Sequence, residues 1–140
     1  MMQEEKKQLH ERFVVIDQGE VHYVLGMLVK RDRDQRTMTI NQENFLKSIL
    51  KRYGMEDSKP VSTPMEPGKK FQKLSETETP VEVKLYQQMI GSLTYVATAT
   101  RPDIAAAVNI LSKYMANPGK EHMEGVKRIL RYIRGLWPLL

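Results

Sequence analysis

Gln87, Gly91 and Tyr95 are spaced by four in a stretch of strong helical periodicity, "YQQMIGSLTYVATAT". Positions four apart share a helix face. A glutamine amide both donates and accepts hydrogen bonds, a glycine admits a close partner, and a tyrosine offers a flat ring and a hydroxyl. None of the three is charged. Together they suit the minor groove of a nucleic-acid duplex, with sugar edges to pack on and base acceptors to bond. A glycine inside a helix costs about 1 kcal/mol relative to alanine, so its presence calls for a gain from close approach. A plainer arrangement is also open. Gly91 could pack against a neighbouring helix, with Tyr95 as a half-buried surface aromatic.

The remaining candidate groups are basic or acidic. Arg101 can bind a phosphate or pair with Asp103. Lys120, Lys127, Arg131 and Arg134 fall within an arc of about 60° on one helix, as a solvated face or a phosphate-contacting stripe. Asp32 and Asp34 could suggest a pair of metal-binding carboxylates. They lie in "RDRDQR" among Arg31, Arg33 and Arg36, which reads as a solvated turn. His10, His22 and His122 show no ligand spacing, and His122 falls near an apolar helix face, as a packed or capping histidine. There is no glycine-rich phosphate loop and no nucleophile elbow. These residues leave a binding face and a plain structural role both open, and they supply no catalytic set and no metal site.

Those groups need elements to hold them. Residues 1–12 read as a charged tail or frayed helix. "VHYVLGMLVK" alternates, with Val21, Tyr23, Leu25, Met27 and Val29 on one face, and "TMTI" follows the polar turn as a second short strand. This predicts a hairpin. Asn41 can cap a helix carrying Phe45, Leu46, Ile49, Leu50 and Tyr53, which Gly54 would close. Residues 55–80 hold Pro60, Pro64, Pro67 and Pro80, and predict an extended linker or strap joining two halves. Three helices follow. In the first, over 82–99, Leu85, Tyr86, Met89, Ile90, Leu93, Val96 and Ala97 fill the apolar arc. The second starts at "TRPDI", with Thr100 as cap, and turns Ile104, Val108, Leu111 and Met115 inward. The third starts at "NPGK", with Asn117 as cap and Pro118 at its first position, and buries Val126, Ile129 and Ile133. The expected class is α+β: a hairpin and helix over 13–54, the linker, a helical bundle over 81–135, and a tail over 136–140 in which Trp137 covers exposed core.

Bulk composition agrees with one ordinary domain or a piece of a larger one: 140 residues, 41% hydrophobic and 28% charged. The net charge of +5 favours polyanionic partners. The absence of cysteine excludes disulfide scaffolds and cysteine zinc sites, and fits an intracellular location. No apolar run approaches the roughly 20 residues of a membrane helix, and the N-terminus lacks a signal-peptide pattern.

Five segments occur in a telling order: "YVLGMLVKRD", "TINQENFLKSILKRYGM", "KPVSTPM", "YQQMIGSLTYVATATRPDIAAAVNILSKYM" and "HMEGVKRILRYIRG". In combination they resemble the C-terminal part of the reverse transcriptase of copia-type retrotransposons, over about residues 13 to 135. The resemblance implies the end of the palm, the thumb and the start of the connection. It implies that "YVLGM" is the palm-end hairpin gripping the primer terminus, with Leu25, Gly26 and Met27 near the primer 3′ end. It implies that Gln87, Gly91 and Tyr95 lie along the minor groove, where retroviral relatives carry Gln, Gly and a larger aromatic. The implied partner is an RNA/DNA or DNA/DNA primer–template duplex, alongside the palm, fingers and ribonuclease H parts of the polyprotein. In that family, magnesium ions are held by carboxylates from upstream palm segments. The expectation for this chain is therefore grip without catalysis and no cofactor of its own. The alternative expectation is a retained, non-catalytic module binding nucleic acid or protein.

Overall fold

Leu25 and Gly26 both adopt left-handed backbone, with φ of 50° and 79°, in the computed structural model, which describes residues 1–136. Two consecutive positive φ values make the tight two-residue turn that matches the twist of antiparallel strands. The alternating stretch over 21–30 is therefore not one strand. It folds back as β1 (Tyr23–Val24) and β2 (Met27–Asp32), and β3 (Thr37–Asn41) completes a three-stranded antiparallel sheet in the order β1-β2-β3. Val24 pairs with Met27 across the turn, and Val29 pairs with Ile40 in the second ladder. The single inward face expected for Val21, Tyr23, Leu25, Met27 and Val29 is replaced by an anchor at Val29, which is buried. Val21, Tyr23 and Leu25 are exposed because the turn reverses the chain between them and Val29.

The charged N-terminus forms α1 (Met2–Arg12), which buries none of its residues. After β3, the Asn41 carboxamide oxygen accepts from the Glu43 amide at 3.2 Å and opens α2 (Glu43–Arg52). Leu46, Ile49 and Leu50 turn inward, and Gly54, at φ 65°, follows the helix end in the left-handed conformation.

The helical half comprises α3 (Val83–Ala99), a 3-10 turn (Pro102–Ile104), α4 (Ala105–Ser112) and α5 (Lys120–Gly135). Tyr86, Met89, Ile90, Leu93, Val96 and Ala97 of α3 meet Ile104, Val108 and Leu111 and then Val126, Ile129, Leu130 and Ile133. Leu46, Ile49, Leu50 and Met55 belong to the same core, so α2 packs with the bundle. Tyr86 is fully buried, and its hydroxyl donates to the Leu111 carbonyl at 2.8 Å, which satisfies both groups inside the core.

Two expected caps differ. The Thr100 hydroxyl reaches back to the Gln42 carboxamide oxygen at 2.6 Å and ties the end of α3 to the start of α2. Asn117 and Pro118 precede α5 without capping it. Its N-cap is Gly119, whose amide donates to His122 Nδ1 at 2.8 Å. The fully buried His122 is thus a capping histidine, stacked on Tyr114 with ring centroids 4.0 Å apart.

Residues 55–80 contain no helix or strand, yet they are held as a strap along α5 rather than spanning two separate halves. The strap runs opposite to the helix. Arg134 Nε donates to the Glu56 carbonyl at 2.6 Å and Arg131 Nε to the Lys59 carbonyl at 2.7 Å. Arg128 reaches the Thr63 hydroxyl at 3.0 Å, and His122 Nε2 lies 2.7 Å from the Gln72 carbonyl. Gly125 lets the strap approach: a Cβ there would stand 2.9 Å from the Phe71 ring. Trp137 and the rest of the expected tail beyond Leu136 lie outside the described residues.

Candidate nucleic-acid interface

The exposed side of α3 follows directly from its apolar arc. With Met89, Leu93 and Val96 in the core, Gln87, Gly91, Thr94 and Thr98 must face outward. Hydroxyls along this side bond their own helix: Thr94 to the Ile90 carbonyl and Thr98 to the Thr94 carbonyl, both at 2.8 Å. The strip is polar, uncharged and smooth. Gly91 is exposed, and a Cβ built on it would meet no atom within 4 Å. The arrangement in which Gly91 packs on a neighbouring helix of this chain is therefore not the one adopted. Gln87 is exposed, and its amide donates to the Met115 carbonyl at 3.1 Å.

Tyr95 is not a free, outward ring but the half-buried aromatic that the plainer arrangement expected. Its hydroxyl donates to the Leu25 carbonyl, 70 residues away in sequence. A Cβ on Gly26 would lie 2.9 Å from the Tyr95 hydroxyl oxygen, so a side chain there would have to displace the hydroxyl. Phe45 of α2 meets the Tyr95 ring edge-on, with centroids 4.8 Å apart and planes at 85°. The two residue sets singled out in the sequence, Leu25–Gly26–Met27 and Gln87–Gly91–Tyr95, thus join at Tyr95 into one surface. Phe45 escaped notice as part of that surface because its helical spacing marks it equally well as core.

The basic candidates divide. Arg101 is buried and pairs with Asp103 through Nε–Oδ1 at 2.9 Å and Nη2–Oδ2 at 2.5 Å. The Tyr132 hydroxyl donates to the same carboxylate at 2.9 Å. The Arg101 hydrogen bond, with help from Tyr132, holds the Asp103 carboxyl below the usual carboxylate range. Of the two roles open to Arg101, the structure adopts the internal pair, and phosphate contact is withdrawn. Arg131 and Arg134 are engaged with the strap carbonyls, so the expected four-residue stripe does not stand as one free face. Lys120 and Lys127 are exposed and form no hydrogen bond or ion pair among the described residues.

The acidic residues do not fit a two-metal centre. The Asp32 carboxylate accepts the Gln35 amide at 2.9 Å and stabilises its turn. Among the described residues no three His, Asp or Glu side chains are grouped to hold a metal ion. No helix among them is long and apolar enough to cross a membrane.

Known proteins resemble this chain over nearly its whole length. It is 42% identical over 136 residues to the retrovirus-related Pol polyprotein from transposon TNT 1-94 of Nicotiana tabacum, covering 93% of this chain and 10% of that protein. It is 43% identical over 129 residues to the retrovirus-related Pol polyprotein from transposon RE1 of Arabidopsis thaliana, covering 91% and 8%. An uncharacterized mitochondrial protein of Arabidopsis thaliana is 37% identical over 128 residues, covering 91% of this chain and 51% of that one. The chain therefore spans only 8–10% of the two transposon polyproteins. No family model and no solved structure matches it.

Proposed function

The chain is a segment of the copia-type, retrovirus-related Pol polyproteins of transposons, and on that premise we propose that it is the part of the reverse transcriptase region that grips the primer–template duplex. The observation that carries this reading is the open, uncharged strip of α3 with bare Gly91 at its centre, continuous with the Leu25–Gly26 turn. A duplex minor groove can pack its sugar edges over a residue without a side chain, and Gln87 can exchange its carbonyl partner for a base acceptor. The turn, at the edge of the same surface, is placed to meet a primer strand lying along the groove. Lys120 and Lys127 are the cations of the original stripe still available to phosphates. The role is grip. The magnesium-binding carboxylates of this family's chemistry belong, in this reading, to another part of the polyprotein, since the donor set here does not fit them. The similarity to Pol polyproteins favours this role over a retained stand-alone binding module.

The test is binding of the full chain to a primer–template duplex, wild type against Gly91→Leu. Leucine meets open space at this position and is the better helix former, so the melting temperature should hold or rise. The side chain would stand in the groove, and affinity should fall about tenfold, roughly 1.4 kcal/mol. Equal affinity of the two proteins would remove this function.

A further inference from the structure

We propose that Tyr95 is a positioning residue: it latches the Leu25–Gly26 turn to α3, so that turn and helix meet the duplex as one surface. This deepens the function proposed above and rests on it for its ligand. Four observations converge on the latch. The Tyr95 hydroxyl donates to the Leu25 carbonyl. Gly26 lies against that hydroxyl so closely that a Cβ would stand 2.9 Å from it. Leu25 and Gly26 are both left-handed, at φ 50° and 79°, which presents the Leu25 carbonyl at the tip of a tight turn. Phe45 braces the ring edge-on at 4.8 Å.

The turn has little else to hold it. β1 is two residues long, Tyr23, Val24 and Leu25 are exposed, and in this sheet only Val29 is buried. β1 is an edge strand joined to the rest of the sheet by two residue pairs. Without the latch, the turn would be free to move relative to α3 through the few residues connecting it to Val29. With it, the Leu25 carbonyl is fixed to a rigid helix at a position one turn beyond Gly91. The tyrosine hydroxyl thereby acts through the turn rather than on the ligand itself.

The variant Tyr95→Phe removes the hydroxyl and keeps the ring against Phe45. Two measurements on the full chain separate the possibilities. Amide hydrogen exchange at Gly26 and Met27 should speed up about three- to tenfold, the effect of losing one hydrogen bond, while α3 and α5 exchange as in wild type. Duplex affinity should fall about threefold at an unchanged melting temperature, as expected when a binding element loses its preorganisation. Gly91→Leu should leave exchange at the turn unaltered. Exchange at Gly26 and Met27 unchanged by Tyr95→Phe would overturn the latch. Faster exchange there, with duplex affinity untouched in both variants, would keep the latch and remove the duplex as its ligand.

Discussion

Arg101 illustrates how one side chain can be turned inward by two others. Its guanidinium makes a bidentate pair with Asp103, and Tyr132 adds a hydroxyl to the carboxylate and a ring face 5.8 Å from the guanidinium carbon. Removing the carboxylate would leave a buried cation without its partner. Asp103→Asn should therefore destabilise the protein at neutral pH by about 1–3 kcal/mol, less than for a fully buried pair because 39% of the Asp103 side chain remains exposed. The sign of the pH dependence follows from the lowered Asp103 carboxyl. A depressed value in the folded protein contributes stability above the unfolded value, and that contribution is lost as pH falls through the folded one. Thermal melting of wild type and Asp103→Asn should thus differ most near neutrality and converge as pH falls below the ordinary carboxylate value of about 4. The Arg101–Asp103 option was legible because the two lie two residues apart in "TRPDI". Tyr132, 29 residues beyond Asp103, was not, since no local period connects them. Gly91 was legible for the opposite reason: its place on the outer arc of α3 depends only on helical spacing.

At the scale of elements, the strap and α5 depend on each other. Arg128, Arg131 and Arg134 recur at i, i+3 and i+6, a helix edge, and each bonds a successive point of the strap. Charge-assisted bonds to backbone carbonyls explain why a segment with four prolines and no ladder of its own has a fixed path. Replacing Arg131 and Arg134 together with alanine should lower stability by about 2 kcal/mol and release residues 56–60 first. Limited proteolysis should show new cleavage in that stretch, with α3 to α5 still intact; an unchanged cleavage pattern would mean that apolar contacts alone hold the strap. The extended character of this segment could be read from its prolines. Its path could not, because the information lies in Arg134, Arg131 and Gly125, residues that on their own helix look like a basic stripe and a weak helix former. The caps show the same limit: Thr100 and Asn117 are good cap residues by type, but Thr100 is drawn to Gln42 across the fold, and His122 supplies the capping bond for α5.

At the scale of the whole molecule, a single core unites α2 with the three later helices, and the sheet lies beside it through contact of β2 with α2. Helical segments of ten or more residues showed their inward faces in sequence because the period repeats several times. The sheet did not, because β1 has two residues and its alternation continues unbroken through the turn. That turn nevertheless brings Leu25 to Tyr95 and places both sets of expected contact residues on one side of the protein. The direct test of the duplex-gripping surface is hydrogen exchange of the full chain with and without a primer–template duplex. Duplex binding should protect amides around Gly91 and at Gly26 and Met27, and leave the strap over residues 56–72 unaffected. Protection confined to the strap and the outer face of α5, with no change at Gly91, would contradict it.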